Sequence, residues 1–290
     1  MPRHWTRYLY PAPLMIILTV LILFPILYAV RFSFYDFYLT RGNMRFVGLQ
    51  NYAEALQDPI FRHAAWVNLR IIVASIIAEF ALGLLLALAC QSIPRGRAVV
   101  VALLTVPIMI STAATGMAFR MIMLPEYGPL NYIIGALTGQ GWVPIDWYGD
   151  PRWALWSLVI ASVWHAMPFV MLILLAGLVA INQELYEAAR IDGAGFFRQV
   201  FAIRIPLLLP IMAVAVLYGI VFTFTDLIVV YILTRGGPFD STQVLATWAY
   251  FKGIEGGSLG QGAAIALFLF PVLVGVAALM LRIAKRAETT

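Results

Sequence analysis

Six long apolar stretches alternate with shorter polar segments along the 290-residue chain. Each stretch is long enough to cross a bilayer as a helix, which takes roughly 20 residues. The pattern predicts an all-α integral membrane protein with one transmembrane domain over residues 1–290. Its six transmembrane helices are expected near residues 11–32, 68–90, 97–122, 153–181, 207–233 and 260–283.

Five of the six predicted spans carry a proline in or near their interior. In lipid, such breaks are tolerated where neighbouring helices or side chains satisfy the freed backbone groups. Ordinary helix kinks explain these prolines, and a gating role for one of them is the alternative. The residues are Pro25, Pro107, Pro168, Pro210 and Pro271.

The polar segments between the spans predict the orientation. Ten of the 19 cations lie in or beside the short segments 1–10, 91–96, 182–206 and 284–290. The other nine lie on the opposite side, over longer segments that also carry eight acids. Because cytoplasmic loops are enriched in Lys and Arg, this density places both termini in the cytoplasm. Four aromatic residues in or just after the outer segment 123–152 are expected to anchor the membrane interface or to contact another protein; they are Trp142, Trp147, Tyr148 and Trp153.

The composition excludes several other classes of protein. Hydrophobic residues make up 62% of the chain and charged residues only 11%, which argues against a disordered chain, a coiled coil or an ordinary soluble enzyme. The net charge of +5 comes with no basic stripe of the kind that binds nucleic acid. One cysteine and three histidines show no metal-ligand spacing. The sequence has no phosphate-binding G-x-x-x-x-G-K-[ST] motif, so we expect no catalytic residue, metal or bound cofactor in this chain.

The cytoplasmic segment 182–206 has a pattern of its own, NQELYEAARIDGAGFFRQVFAIRIP. It predicts a short helix, a glycine turn at Gly193 and Gly195, and a second short helix that Pro206 stops. Such an element is stiff and exposes small residues, so it indicates either a docking loop for a partner protein or an inert interfacial helix.

This segment resembles the EAA motif of permease subunits from ABC importers. The family pattern is EAA, then a glycine, then I-x-L-P, and Ile205 replaces the usual leucine here. The segment also lies where the family has it, between the fourth and fifth of six spans. The matching residues are Glu187, Ala188, Ala189, Asp192, Gly193, Ala194, Ile203 and Pro206.

Two outer segments resemble the carbohydrate branch of that family, the maltose-transporter-like permeases. TRGGPFDST at 234–242 is similar to their T-x-G-G-P-x-x-S-T loop, and residues 48–68 are similar to their first outer loop. Leu69 and Phe119 depart from the pattern, which often has Thr and Trp there. The resemblance covers roughly residues 8 to 286.

The resemblance implies a type I ABC importer permease fold in a bacterial or archaeal inner membrane. Family permeases pair with a second, usually distinct, permease subunit and act with two ATPase subunits and an extracytoplasmic solute-binding protein. ATP and Mg²⁺ belong to the ATPase, and the carbohydrate passes between the permease halves by alternating access. The coupling loop, residues 184–206, would dock on the ATPase through Glu187, with Gly193 supplying the turn.

Two acids lie inside predicted spans, Glu79 and Asp226, and such residues indicate function by default. Asp226 and three other residues are spaced i, i+3, i+4 and i+7, so they are predicted to share one helix face. This face combines an aromatic ring, a hydroxyl and a carboxylate, as sugar-binding sites do. The alternative for Asp226 is an ion pair with a neighbouring helix or subunit. Glu79 is expected to make a helix–helix hydrogen bond or contact the partner subunit rather than bind substrate. The face consists of Gly219, Phe222, Thr223 and Asp226.

Positions matching these four line the transport cavity of the maltose-type permease, so the resemblance implies the same role here. Ungapped counting from Glu187 adds His165, Ala166 and Phe169 in the fourth span. A helix–helix hydrogen bond is the alternative for His165. Two other classes compete with an ABC permease: a secondary transporter, which should show inverted repeats, and an intramembrane enzyme, which should show paired catalytic groups at one depth.

Overall fold

The computed structural model describes residues 10–40 and 42–288, and side chains up to residue 283. Residues 1–9, whose cytoplasmic location the sequence predicts, therefore lie outside the described part, as do the last two residues of the chain. The described chain forms two compact units. One comprises Met1–Arg62 and Trp248–Phe270, and the other His63–Thr247 and Pro271–Thr290.

Helices make up most of both units. In chain order the elements are α1 (Ala12–Ser33), β1 (Tyr35–Phe37), β2 (Met44–Phe46), α2 (Gln50–Gln57), α3 (Pro59–Gln91), α4 (Arg97–Leu104), α5 (Val106–Met109), α6 (Thr112–Ile122), α7 (Pro129–Thr138), α8 (Pro151–Ala180), α9 (Gln183–Ile191), α10 (Phe196–Gln199), a π-helical turn (Val200–Arg204), α11 (Ile205–Thr225), α12 (Ile228–Leu233), α13 (Leu245–Tyr250), a second π-helical turn (Phe251–Glu255) and α14 (Leu259–Glu288).

The first unit contains a small hairpin that the sequence did not predict. Strands β1 and β2 pair antiparallel, and Asp36 lies opposite Arg45, so the pair brings opposite charges together across the strands. The buried Asn51 amide donates to the Ser33 and Tyr35 carbonyl oxygens at 2.9 and 3.0 Å. These bonds satisfy backbone acceptors where α1 ends and the hairpin begins, and so fix the connection between the two elements.

The second unit contains two apolar cores. In one, Val67 and Ile71 of α3 pack with Leu158 of α8 and with Val229 and Val230 of α12. In the other, the opposite ends of α3 and α8 meet α11. This second core holds the sole cysteine of the sequence and consists of Ala87, Cys90, Val170, Met171, Leu174, Leu175, Leu178 and Leu208.

Five helices in the described part of the chain are long and apolar enough to cross a membrane, and they overlap five of the six predicted spans. The prediction of one continuous helix over 97–122 is wrong, because this segment forms α4, α5 and α6. Ile110 is extended, and the Ser111 hydroxyl accepts the Ala114 N–H at 3.2 Å, so a new helix begins inside the apolar run. Pro107 lies in the first turn of α5, where its missing N–H leaves no hydrogen bond unmade.

Candidate functional site

The predicted helix and glycine turn of the coupling loop are present in the structure. Helix α9 begins after Asn182, whose side chain accepts the Glu184 N–H at 3.0 Å. It ends at Ile191, and Gly193 two residues later has φ of +74°, a left-handed conformation that glycine adopts without a steric penalty. The Ala194 N–H then donates to the Ala189 oxygen at 2.8 Å, which closes the end of the helix.

The prediction that Pro206 stops a second short helix is wrong. The chain stays helical from Phe196 to Thr225, through α10, the π-helical turn and α11. In the wide turn, the Ile205 N–H donates to the Val200 oxygen five residues back. Pro206 consequently falls in the first turn of α11, where its missing N–H does not interrupt the helix.

Helix α9 divides its residues between a packed face and an exposed face. Tyr186 and Ala189 are buried, and the Arg204 guanidinium lies 4.9 Å from the centre of the Tyr186 ring. This contact holds the helix against the start of α11. The predicted coupling residues Glu187, Ala188, Asp192, Gly193 and Pro206 are exposed, whereas Ala189 is not.

The exposed side also carries large apolar side chains. Ile191 is 86% exposed and Phe197 is 75% exposed, on either side of the glycine turn. Exposed apolar residues grouped around an acidic helix are typical of a surface that another protein covers. A groove of about 480 Å³ continues from this surface; its polar lining includes Gln91, Arg97, Glu187, Arg190 and Arg204.

Within the apolar part of the second unit, four aromatic rings form a continuous row, which we call the ring ladder. His165 and Phe169 of α8 face Tyr218 and Phe222 of α11. The ring centres of Phe169 and Tyr218 are 3.9 Å apart, and those of Tyr218 and Phe222 are 5.8 Å apart. His165 stacks on Phe222 at 5.8 Å with an angle of 20° between the rings. The structure thus brings together three of the predicted cavity residues.

Two members of this site were missed from the sequence. Tyr218 lies one turn before Phe222, and the i, i+4 spacing of two aromatic residues was the available signal. Thr115 of α6 is fully buried, with its hydroxyl 3.4 Å from the His165 Nδ1 atom. The sequence contains no pattern that shows against which helix α6 packs. Only the three-dimensional structure could therefore reveal this contact. It also means that His165 makes the helix–helix contact considered as its alternative role.

Asp226 is not on the helix face predicted for it. Helix α11 ends at Thr225, and the Asp226 Oδ1 atom accepts the N–H groups of Ile228 and Val229 at 3.0 and 3.1 Å. Asp226 therefore caps the N-terminus of α12, a position where a carboxylate oxygen is favoured. The other predicted cavity residues, Ala166, Gly219 and Thr223, are buried on α8 and α11.

Glu79 lies against Gly219, the residue that follows Tyr218 of the ring ladder. It is fully buried on α3, and a Cβ atom at position 219 would be 3.2 Å from its Oε2 atom. Neither carboxyl oxygen has a hydrogen-bond partner among the described residues, so the expected helix–helix hydrogen bond is not present. The absence of a side chain at Gly219 provides the space that the carboxyl group occupies.

The loops predicted to lie on the outer side are held by polar contacts. The Thr242 hydroxyl donates to the Gly237 oxygen at 2.6 Å and closes the loop 234–242. Trp147 is buried and donates to the Asn131 oxygen at 2.7 Å, so the expectation that it anchors the interface or contacts another protein is wrong. The Tyr148 hydroxyl donates to the Phe119 and Arg120 oxygens, and burial raises the pKa of Tyr148 above its usual value while the charge of Arg120 opposes the shift.

Several known proteins are similar to this chain in sequence or in fold. It is 32% identical to the sulfoquinovosyl glycerol transport system permease protein SmoG of Agrobacterium fabrum, over 99% of this chain and 96% of that protein. It is also 32% identical to the trehalose/maltose transport system permease protein MalF of Thermococcus litoralis, over 96% and 93% respectively. The structure of a bacterial alginate ABC transporter, solved with its alginate pentasaccharide-bound periplasmic protein, has the same fold. That chain gives a TM-score of 0.83 at 20% identity, with 99% of this chain and 96% of that one covered.

The predicted fold class, a mostly helical ABC importer permease, is confirmed by these similarities and by the apolar helices. The family described as "Binding-protein-dependent transport system inner membrane component" matches residues 79–289, which include the EAA segment and the ring ladder. The chain therefore belongs to this family of inner membrane transport components, as the resemblance of residues 187–206 predicts.

Proposed function

We propose that this chain is the permease subunit of an ATP-driven, binding-protein-dependent carbohydrate importer. The ring ladder carries the proposal, since its row of four rings, with the Thr115 hydroxyl beside His165, matches what a sugar presents. Aromatic faces pack against the C–H faces of sugars, while polar groups pair with the sugar hydroxyls. The relatives named for sulfoquinovosyl glycerol and trehalose/maltose transport support the same substrate class.

Transport proceeds by alternating access, in which α8 and α11 separate to admit the sugar between their rings. The proposed site residues are His165, Ala166, Phe169, Gly219, Phe222, Thr223 and Asp226, and we include Thr115 and Tyr218 because they contact this group. Many sugars can stack on aromatic rings. Groups that pair with the sugar hydroxyls, such as Thr115 and Asp226, therefore select among these sugars. The chain itself contributes no covalent chemistry.

Energy for these movements enters through α9. Its exposed acid Glu187 and the apolar residues beside it dock in a groove on an ATPase subunit, where basic side chains or backbone N–H groups meet the carboxylate. ATP and Mg²⁺ are bound on two such ATPase subunits. A second permease subunit completes the path, and an extracytoplasmic solute-binding protein delivers the sugar. In the bacterial or archaeal inner membrane, both termini and α9 then face the cytoplasm.

The coupling role is tested with the complete importer reconstituted in proteoliposomes. Glu187→Lys should abolish uptake and the ATPase activity stimulated by the sugar-loaded binding protein, because a cation replaces the acid at the docking surface. Glu184→Lys is the matched control, since Glu184 is also exposed on α9 but sits in its first turn. Uptake by Glu187→Lys equal to that of the control would contradict the proposal.

A further inference from the structure

A pocket of about 620 Å³ opens at the outer ends of α3 and α8, away from the ring ladder. Three basic side chains surround it, with Trp156 beside them and the loop 234–242 at its edge. We call it the basic pocket; its main lining residues are His63, Arg70, Arg152, Trp156, Ser241, Ala74 and Leu155.

The pocket changes from charged to apolar along both helices. On α3, His63 and Arg70 are seven residues apart and so share a face, and Ala74 follows one turn further along. On α8, Arg152 is followed one turn later by Leu155. Both changes occur where the predicted membrane spans begin. The charged part therefore lies at headgroup depth and the apolar part at the depth of the upper acyl chains.

Polar groups of the pocket are left without partners. Arg70 is exposed and makes no hydrogen bond or ion pair with the described part of the chain. The Ser241 hydroxyl oxygen is buried and also lacks a partner there. Arg152 differs, because it pairs with Asp150 at 2.8 Å. Of the two groups without a partner only Arg70 is exposed, so the pocket presents one unneutralised cation.

We propose that the basic pocket binds the phosphate group of an anionic phospholipid. Arg70 pairs with the phosphate, and an acyl chain runs along Ala74 and Leu155. Trp156, which is half exposed, covers the glycerol region as aromatic rings do at membrane interfaces. An acidic protein segment would match the charge but not the apolar inner wall.

The experiment measures lipid bound to the complete importer by native mass spectrometry, after purification from nanodiscs of equal parts phosphatidylglycerol and phosphatidylcholine. Arg70→Gln should weaken phosphatidylglycerol binding about fivefold, the effect of one cation at a membrane surface. Arg70→Lys should retain binding because the charge remains. Arg62→Gln, an exposed arginine of the same helix outside the pocket, should bind as the wild type does.

Three results would overturn the proposal. Arg70→Gln could retain as much phosphatidylglycerol as Arg62→Gln. Inorganic phosphate could displace the lipid at the lipid's own affinity, which would indicate a site for free anions. The variant could instead lose affinity for the solute-binding protein while its lipid content stays unchanged, which would make the pocket a protein contact. None of these measurements depends on the identity of the transported sugar.

Discussion

Gly219 and Glu79 are so close that the residue types at the two positions depend on each other. A methyl group at 219 would be 3.2 Å from the Glu79 Oε2 atom and 3.6 Å from Ile76. We predict that Gly219→Ala carries an overpacking penalty, because the Glu79 carboxyl group must move by a few tenths of an ångström, and that this penalty offsets the roughly 1 kcal/mol that alanine gains over glycine in a helix. In a Glu79→Ala background the penalty should shrink, because the carboxyl group is gone. Thermal unfolding of the four proteins in a double-mutant cycle measures this coupling, and equal penalties in both backgrounds would exclude it.

Asp226 has a structural role that can be separated from its proposed role in substrate binding. Its Oδ1 atom caps α12, and asparagine caps a helix equally well without the charge. Asp226→Asn should keep wild-type stability but lower sugar uptake, whereas Asp226→Ala should also lose about 1 kcal/mol of stability. Uptake and unfolding of both variants provide the measurement. Normal uptake by Asp226→Asn would restrict Asp226 to capping.

At the scale of elements, the end of α9 depends on Gly193. Its φ of +74° costs any other residue about 1 kcal/mol, so Gly193→Ala should loosen the turn and reduce uptake without preventing membrane insertion. Gly195 provides a matched control two residues later. It has φ of −67° with open space around its Cα atom, so Gly195→Ala should transport normally. Equal uptake by the two variants would refute a role for the left-handed turn.

The sequence predicted long apolar elements better than their interruptions. An apolar run shows that a segment can enter the membrane, but Ser111 and Asp226 begin new helices by accepting backbone N–H groups, one at Ser111 and two at Asp226. Such a bond leaves no trace in hydrophobic periodicity. The residues i, i+3 and i+4 on α11 were placed correctly on one helix, and only the i+7 member fell beyond its end. Contacts between distant helices, such as Thr115 with His165, depend on packing that no local pattern encodes.

At the scale of the whole molecule, the proposed orientation predicts which side of the membrane each loop faces. Ile191 lies beside the coupling turn and Phe239 in the loop 234–242, and both are at least 86% exposed. In spheroplasts, Phe239→Cys should react with a membrane-impermeant maleimide, and Ile191→Cys only after permeabilisation. The native Cys90 is 1% exposed and should stay unlabelled. Labelling of Ile191→Cys in intact spheroplasts would reverse the orientation.

The π-helical turn at Val200–Arg204 sets the rotational phase between α10 and the rings on α11. Each residue of an α-helix advances the chain by about 100°, and a π-helical turn accommodates one extra residue. The side chains of α10, including the exposed Phe197, are consequently rotated by about one such step relative to the rings on α11. A single-residue deletion within the turn would leave the side chains of α10 and the rings on α11 chemically unchanged. It would, however, turn the two sets of side chains to different directions around the helix axis.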